Sequence, residues 1–463
     1  MRLVKVTQLL LAVALGAVAC NPSDFDSALD KAPVVSFGNG SEGNSLVALP
    51  LSPPGGGISA RMLVARKDDP SYLAVADYDK DGKVTVHKAT DAESGNLSGA
   101  AVTSMAALSP AQPQGQDGPI MLGTPKGGGG QPPPGRVEML TLAAPAAGAV
   151  SFTVQPALAW QNAFGSAVAA GRVTDLGGPT EFVAVSDDGV QVIAADGQTA
   201  VASTMCQNVA LADPNLDYRP MVVGDFLPGG GEEIALSGFG HVVFVQYDTT
   251  SHTLGCSLLV IGQGVSTTFG SSLAAADFDG DGQLDLAVGM PPDHVYVYFG
   301  PLRGTDGNAL EKVAIVSKTG THFGQRIAAY EAPGLVPSQL LVSDPTASGG
   351  IKPGVGRAGG GKVMLLNVLR AGGPVQYVED PATPNAAVEA AALFDSNGDA
   401  PTGVLGHNLG FLVFDNTAGC AAGGSQVLVP WATSGSSVLA FFDYAVRLDV
   451  ASTFSPDPRC FAK

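Results

Sequence analysis

Between residues 277 and 285 the chain reads DFDGDGQLD, so Asp277, Asp279, Asp281, Gln283 and Asp285 recur at every second position. Four carboxylates this close repel one another unless a cation neutralises them. Converging carboxylate oxygens, with glycines to turn the chain, suit a hard cation that takes about six to eight oxygen ligands, and calcium is the expected ion. The loop is not of the helix–loop–helix calcium type. Its twelfth position is Val288 where that type has a bidentate glutamate, and its flanks alternate as strands do. A solvated acidic hairpin is the alternative reading.

The elements that must hold these groups follow from the flanking pattern. Leu273 and Ala275, then Leu284, Leu286 and Val288, then Val295, Val297 and Phe299 alternate with small or polar residues. That period of two belongs to pleated strands. Residues 269–300 therefore read as strand, acidic loop, strand, tight turn and strand. The unit recurs. Moving back 52 residues (277 − 225) lays Asp225, Phe226 and Glu233 on Asp277, Phe278 and Asp285. Moving forward 54 (323 − 269) lays Phe323-Gly324 on Phe269-Gly270, and Leu340 to Pro345 on Leu286 to Pro291. Weaker copies begin near Arg61, near Ile120, at Phe164-Gly165 and near Ala390, the last running through 404–406 and 411–414. A regular period of this length signals a repeat architecture.

Phe269-Gly270, the acidic loop and Gly289-Met290-Pro291 together resemble the FG-GAP repeat of integrin α-subunit propellers and their bacterial relatives. The resemblance is specific over about thirty residues. It implies that Asp277, Asp279, Asp281 and Asp285 ligate calcium through their side chains and Gln283 through its backbone carbonyl. It also implies an all-β fold, here a seven-bladed β-propeller with blades of about four antiparallel strands, since seven copies are counted and closure removes long exposed edges. The strand completing a blade shared by both chain ends is expected from residues 438–446 or 46–49. A second acidic run, Asp77, Asp79 and Asp81 before Gly82, falls between the second and third strands of its copy, where a plain hairpin turn competes with metal binding.

With 45% apolar and 14% charged residues the chain can bury a large core, and 61 glycines with 33 prolines favour short strands and turns. A net charge of −18 disfavours nucleic acid and anionic membrane surfaces as partners. The N-terminus carries Arg2 and Lys5, then an apolar run from Leu9 to Leu15, then small residues before a cysteine, the layout of an export signal. Ala17-Val18-Ala19-Cys20 resembles a bacterial lipobox, departing from it at Ala17. That resemblance implies lipidation of Cys20 and a membrane anchor, with an outer-membrane or cell-surface address because Asn21 is not the aspartate that retains lipoproteins in the inner membrane. The expected organisation is a signal over 1–19, a lipidated cysteine and flexible tether over 20–44, and one propeller over 45–463. Cys206, Cys256, Cys420 and Cys460 remain, an even number in an exported chain. Two disulfides are expected; three connectivities are possible, with sequential pairing favoured.

No Gly-x-Ser-x-Gly elbow, His-Glu-x-x-His pair or phosphate-binding glycine loop occurs in the sequence, and its six histidines are scattered. The expected function is therefore a binding, adhesion or scaffolding module at the cell envelope, not an enzyme, with calcium as a structural ion and a protein or polysaccharide as its partner. A calcium-dependent polysaccharide-degrading enzyme is the alternative, because paired carboxylates are invisible in sequence. A carbohydrate-binding lectin is a third reading. The two tryptophans, Trp160 and Trp431, are too few to give each blade an aromatic sugar platform.

Overall fold

The computed structural model describes strands between Val34 and Tyr444, most turns between residues 164 and 317, and side chains chiefly over 61–344 with Leu366, Val368 and Arg370. Two compact units are distinguished, Met1–Ala32 and Pro33–Lys463, and the first lies wholly outside the described residues, as does Cys20. Among the described residues the long regular elements are all strands, and no helix is long and apolar enough to cross a membrane.

These strands form a β-propeller of antiparallel sheets. Five sheets have the four-stranded form in which each strand pairs with the next along the chain or nearly so. They start at Leu46–Leu51, Ser104–Ala107, Ala167–Gly171, Met221–Gly224 and Ile327–Tyr330. Five four-stranded blades thus replace the seven expected, because two further sheets each carry a fifth strand. One holds the acidic loop: Ser272–Ala276, Asp285–Met290, His294–Tyr298 and Lys312–Ser317 are antiparallel, and Val375–Tyr377 adds to the last of them in parallel. In the other, Gly403–Leu405 and Leu412–Asn416 both pair with Gly424–Thr433, which pairs with Ser436–Tyr444.

The leading strands of successive sheets touch in chain order, and Leu412–Asn416 contacts both Ile327–Tyr330 and Leu46–Leu51, which closes the circle. Closure between the chain ends uses a strand the sequence reading placed in the tether. Val34–Ser36 pairs antiparallel with Ser436–Tyr444, so the folded unit begins near Pro33 and not at residue 45. Leu46–Leu51 instead leads the first blade. Val388–Asp395 also moves: expected to open the last copy, it is the outer strand on Lys362–Val368.

The apolar alternation has its reason in sheet-on-sheet packing. Asp285–Met290 is buried along its whole length because both faces are covered. Leu286, Val288 and Met290 pack toward Phe226 and toward Ala235 and Phe244 of the preceding sheet, while Ala287 packs toward Ile327, Leu340 and Val342 of the following sheet. Phe164, Phe269 and Phe323 are buried anchors at equivalent places. The glycine after each lies at φ of 87°, 88° and 81°, a left-handed conformation that glycine adopts without steric cost. Its N–H closes onto its own blade, from Gly165 to the Val185 carbonyl at 2.9 Å, Gly270 to Gly289 at 2.9 Å and Gly324 to Ser343 at 3.0 Å. Its carbonyl faces the preceding blade, where Ser104, Ser237 and Ser272 hydroxyls donate to Gly165, Gly270 and Gly324 at 3.0, 2.6 and 2.8 Å.

Candidate metal centre

The acidic loop is held between Ser272–Ala276 and Asp285–Met290 by its own side chains. Buried Phe278 pins its middle to the core. The Asp277 carboxylate accepts from the Gly280 N–H at 2.7 Å and the Gly282 N–H at 2.9 Å, wrapping the chain around it. Those two glycines sit at φ of 83° and 81°, where a side chain would be strained. Asp285, fully buried, accepts from the N–H groups of Phe278 and Gly300, both at 2.8 Å. Burial pushes its carboxyl up to about 7, and burial also raises Asp279 above the usual carboxylate range.

Asp277, Asp279 and Asp285 each bring one oxygen to within 4.8 Å of the others. An ionised carboxylate has about four lone-pair sites, so oxygens engaged once by backbone N–H groups can still coordinate. The donor set fits a hard cation, with carbonyl or water oxygens completing the shell. Asp281 is not brought into this group. One of its oxygens accepts from the Gln283 N–H at 2.8 Å and the other from Arg370 Nη1 at 2.9 Å. The Gln283 side chain is exposed and donates to the Gly282 carbonyl at 3.3 Å.

Part of this construction belongs to the fold and not to the metal. In three successive blades a carboxylate opens the second strand and accepts the N–H seven residues earlier. Thr174 donates to Glu181 at 2.9 Å, Phe226 to Glu233 at 2.9 Å and Phe278 to Asp285 at 2.8 Å. Glu181 escaped the sequence reading although it stands one 52-residue step before Glu233 (233 − 181), as Glu233 does before Asp285. Each of the other two loops keeps one acidic neighbour, Asp175 in the place of Asp279 and Asp225 in the place of Asp277, so the presence of Asp277 and Asp279 together is what distinguishes this loop. In the other acidic run, Asp77 ends as the bidentate partner of Arg61, at 2.6 and 2.7 Å, with both groups buried on strands. That run does not join the second and third strands as expected: because Leu46–Leu51 leads this blade, Leu73–Asp79 and Val84–Lys88 are its third and fourth strands. Cys256 lies opposite Val245 on Thr253–Ile261; Cys206, Cys420 and Cys460 lie outside the described residues.

Residues 269–298, covering the leading strand, the acidic loop and the next hairpin, match the FG-GAP repeat family model. The chain carries an FG-GAP repeat on a β-propeller. Its FG-GAP signature thus corresponds to the anchoring Phe269, the left-handed Gly270 and the close-packed Gly289. Among curated proteins the chain is similar to phosphatidylinositol-glycan-specific phospholipase D from Mus musculus and from Rattus norvegicus, 35% identical over 96 residues in each case. The similarity takes in 19% of this chain and 12% and 11% of those proteins, so the chain spans only a small part of their length.

Proposed function

We propose that the protein is an exported, lipid-anchored FG-GAP propeller that binds a protein or polysaccharide partner at the bacterial cell envelope, most specifically the outer membrane or cell surface. In this reading calcium is a stabilising ion held by Asp277, Asp279 and Asp285, with Asp281 and the Gln283 carbonyl as further ligands, and the four cysteines beyond Cys20 are oxidised. The observation that carries it is the convergence of three carboxylates on a loop whose backbone is already fully turned and pinned. Calcium modules outside the cell bind at about 10⁻⁴ to 10⁻³ M, and at a hundred times the dissociation constant linkage adds about 2.7 kcal/mol of stability. The full chain should therefore melt at a higher temperature in 10 mM calcium than in chelator. Asp277→Asn combined with Asp279→Asn should abolish that rise, whereas Asp79→Asn with Asp81→Asn should keep it. A wild-type melting temperature indifferent to chelation overturns the calcium reading. The anchor is tested separately: Cys20→Ala should leave the membrane fraction and appear in the soluble one.

An enzymatic reading is favoured only by the names of the two relatives. The charge of −18 suits an anionic phosphatidylinositol surface poorly. Release of phosphatidic acid from a phosphatidylinositol-glycan substrate by the full chain would decide for it.

A further inference from the structure

The acidic loop already faces a cation supplied by the chain itself. Arg370 follows Lys362–Val368, a strand of the next blade, yet its guanidinium lies on the FG-GAP blade. Nη1 donates to Asp279 at 3.0 Å and to Asp281 at 2.9 Å, while Nε and Nη2 donate to the two oxygens of Glu311, both at 2.8 Å. The Phe299 ring centroid is 5.1 Å from the guanidinium carbon. A forked, planar cation matched to carboxylates on two sides is the geometry in which arginine is strongest and lysine a poor replacement.

The neighbouring blade shows that this residue is a complement to the loop. Leu286 pairs with Tyr298, and its equivalent Leu340 pairs with Leu366, so four residues further on Leu302 and Arg370 occupy matching places. Leu302 also reaches back over the preceding blade's loop: its N–H donates to the Phe226 carbonyl at 2.8 Å, and its buried side chain shares a cluster with Leu227. Leu227 is the residue that stands where Asp279 stands in the next copy (279 − 52). Where the loop presents leucine, the reaching residue is leucine; where it presents aspartate, the reaching residue is arginine. Soon after Arg370, Val375–Tyr377 pairs with Ile315–Ser317 of the same FG-GAP blade, so the crossover is tied down at two points.

We propose that Arg370 is the built-in counter-cation of the acidic loop, a latch between two blades that a divalent cation must displace or repel. The competition rests on the calcium reading above. A dipositive ion at Asp277, Asp279 and Asp285 draws on Asp279, which Arg370 holds, and the two cations repel across a few ångströms. Such coupling is reciprocal: what the ion does to the latch, the latch does to the affinity for the ion.

The test is calorimetric titration of the full chain with calcium chloride, in the wild type, Arg370→Gln and Arg370→Lys. Arg370→Gln should bind calcium about 5- to 100-fold more tightly, with Arg370→Lys between the two, as expected for couplings of this kind. Equal or weaker binding by Arg370→Gln overturns the latch and leaves the calcium site standing. Absence of binding in all three proteins removes the site itself and the competition with it. A readout free of substitutions accompanies these: calcium added to the wild type should speed amide exchange over residues 375–377, and slower exchange there would overturn the proposal.

Discussion

Glu138 is buried on the strand Arg136–Ala143, neither of its carboxylate oxygens is hydrogen-bonded among the described residues, and Arg136 Nε lies 3.5 Å from it. Burial pushes its carboxyl from an ordinary 4.5 up to about 7, against the smaller pull of Arg136. Below pH 4.5 the group is protonated in both folded and unfolded chains and burial of the neutral acid carries no charge penalty. As pH rises from 4.5 to 7 the unfolded chain ionises first, so the stability contributed by the protonated form is lost through that window and stays lost above it. The loss is at most about 3 kcal/mol. Urea unfolding at pH 5 and pH 8 should show wild type weaker at the higher pH and Glu138→Gln with a smaller difference between the two. An unchanged difference in the variant would show that the slope comes from elsewhere. At this scale the sequence exposes only what is local. Asp277, Asp279 and Asp285 are legible because one short loop brings them together. Arg370 is 91 residues from Asp279, and nothing in the alternation of a strand tells which loop the residue beyond its end will reach.

The blade-to-blade contact is where single atoms decide whether elements fit. A Cβ added at Gly289 would collide with the Gly324 carbonyl oxygen and the Ser272 hydroxyl, and the carbonyl is backbone that the buried Phe323 anchor keeps in place. Gly289→Ala should therefore lower stability by about 1–3 kcal/mol, the usual range for overpacking, even though alanine is otherwise the easier residue in a strand. Equilibrium denaturation measures this, with Gly255→Ala as the comparison because nothing lies within 4 Å of the equivalent Cβ there. Strands and copies were legible from periodicity because blades bury both faces and so demand apolar or small residues at nearly every position. Partner choice was not. Val388–Asp395 reads equally well as the first strand of one blade or the last of its predecessor, since alternation fixes which residues face the same way and not which edge they join. The three-residue strands Val34–Ser36 and Val375–Tyr377 are shorter than any pattern that alternation can reveal.

At the scale of the whole molecule, the propeller class followed from repeated spacing, while the blade form differed where a late strand or an early one joins an existing edge. Val34–Ser36 covers the edge of Ser436–Tyr444. A chain lacking residues 21–37 should expose that edge, melt at a lower temperature and associate through it, because an uncovered strand offers its unpaired N–H and C=O groups to any neighbour. Light scattering with thermal melting checks this; a monomer as stable as the full chain would show that the short strand adds nothing. The same pairing has a consequence in time. Val34 meets Ala440, 406 residues further along (440 − 34), so the contact cannot form while the second partner is still unmade. At roughly 5–20 residues per second of synthesis, the first strand waits on the order of half a minute for its mate. Throughout that interval the circle stays open, which makes ring closure one of the chain's last folding events.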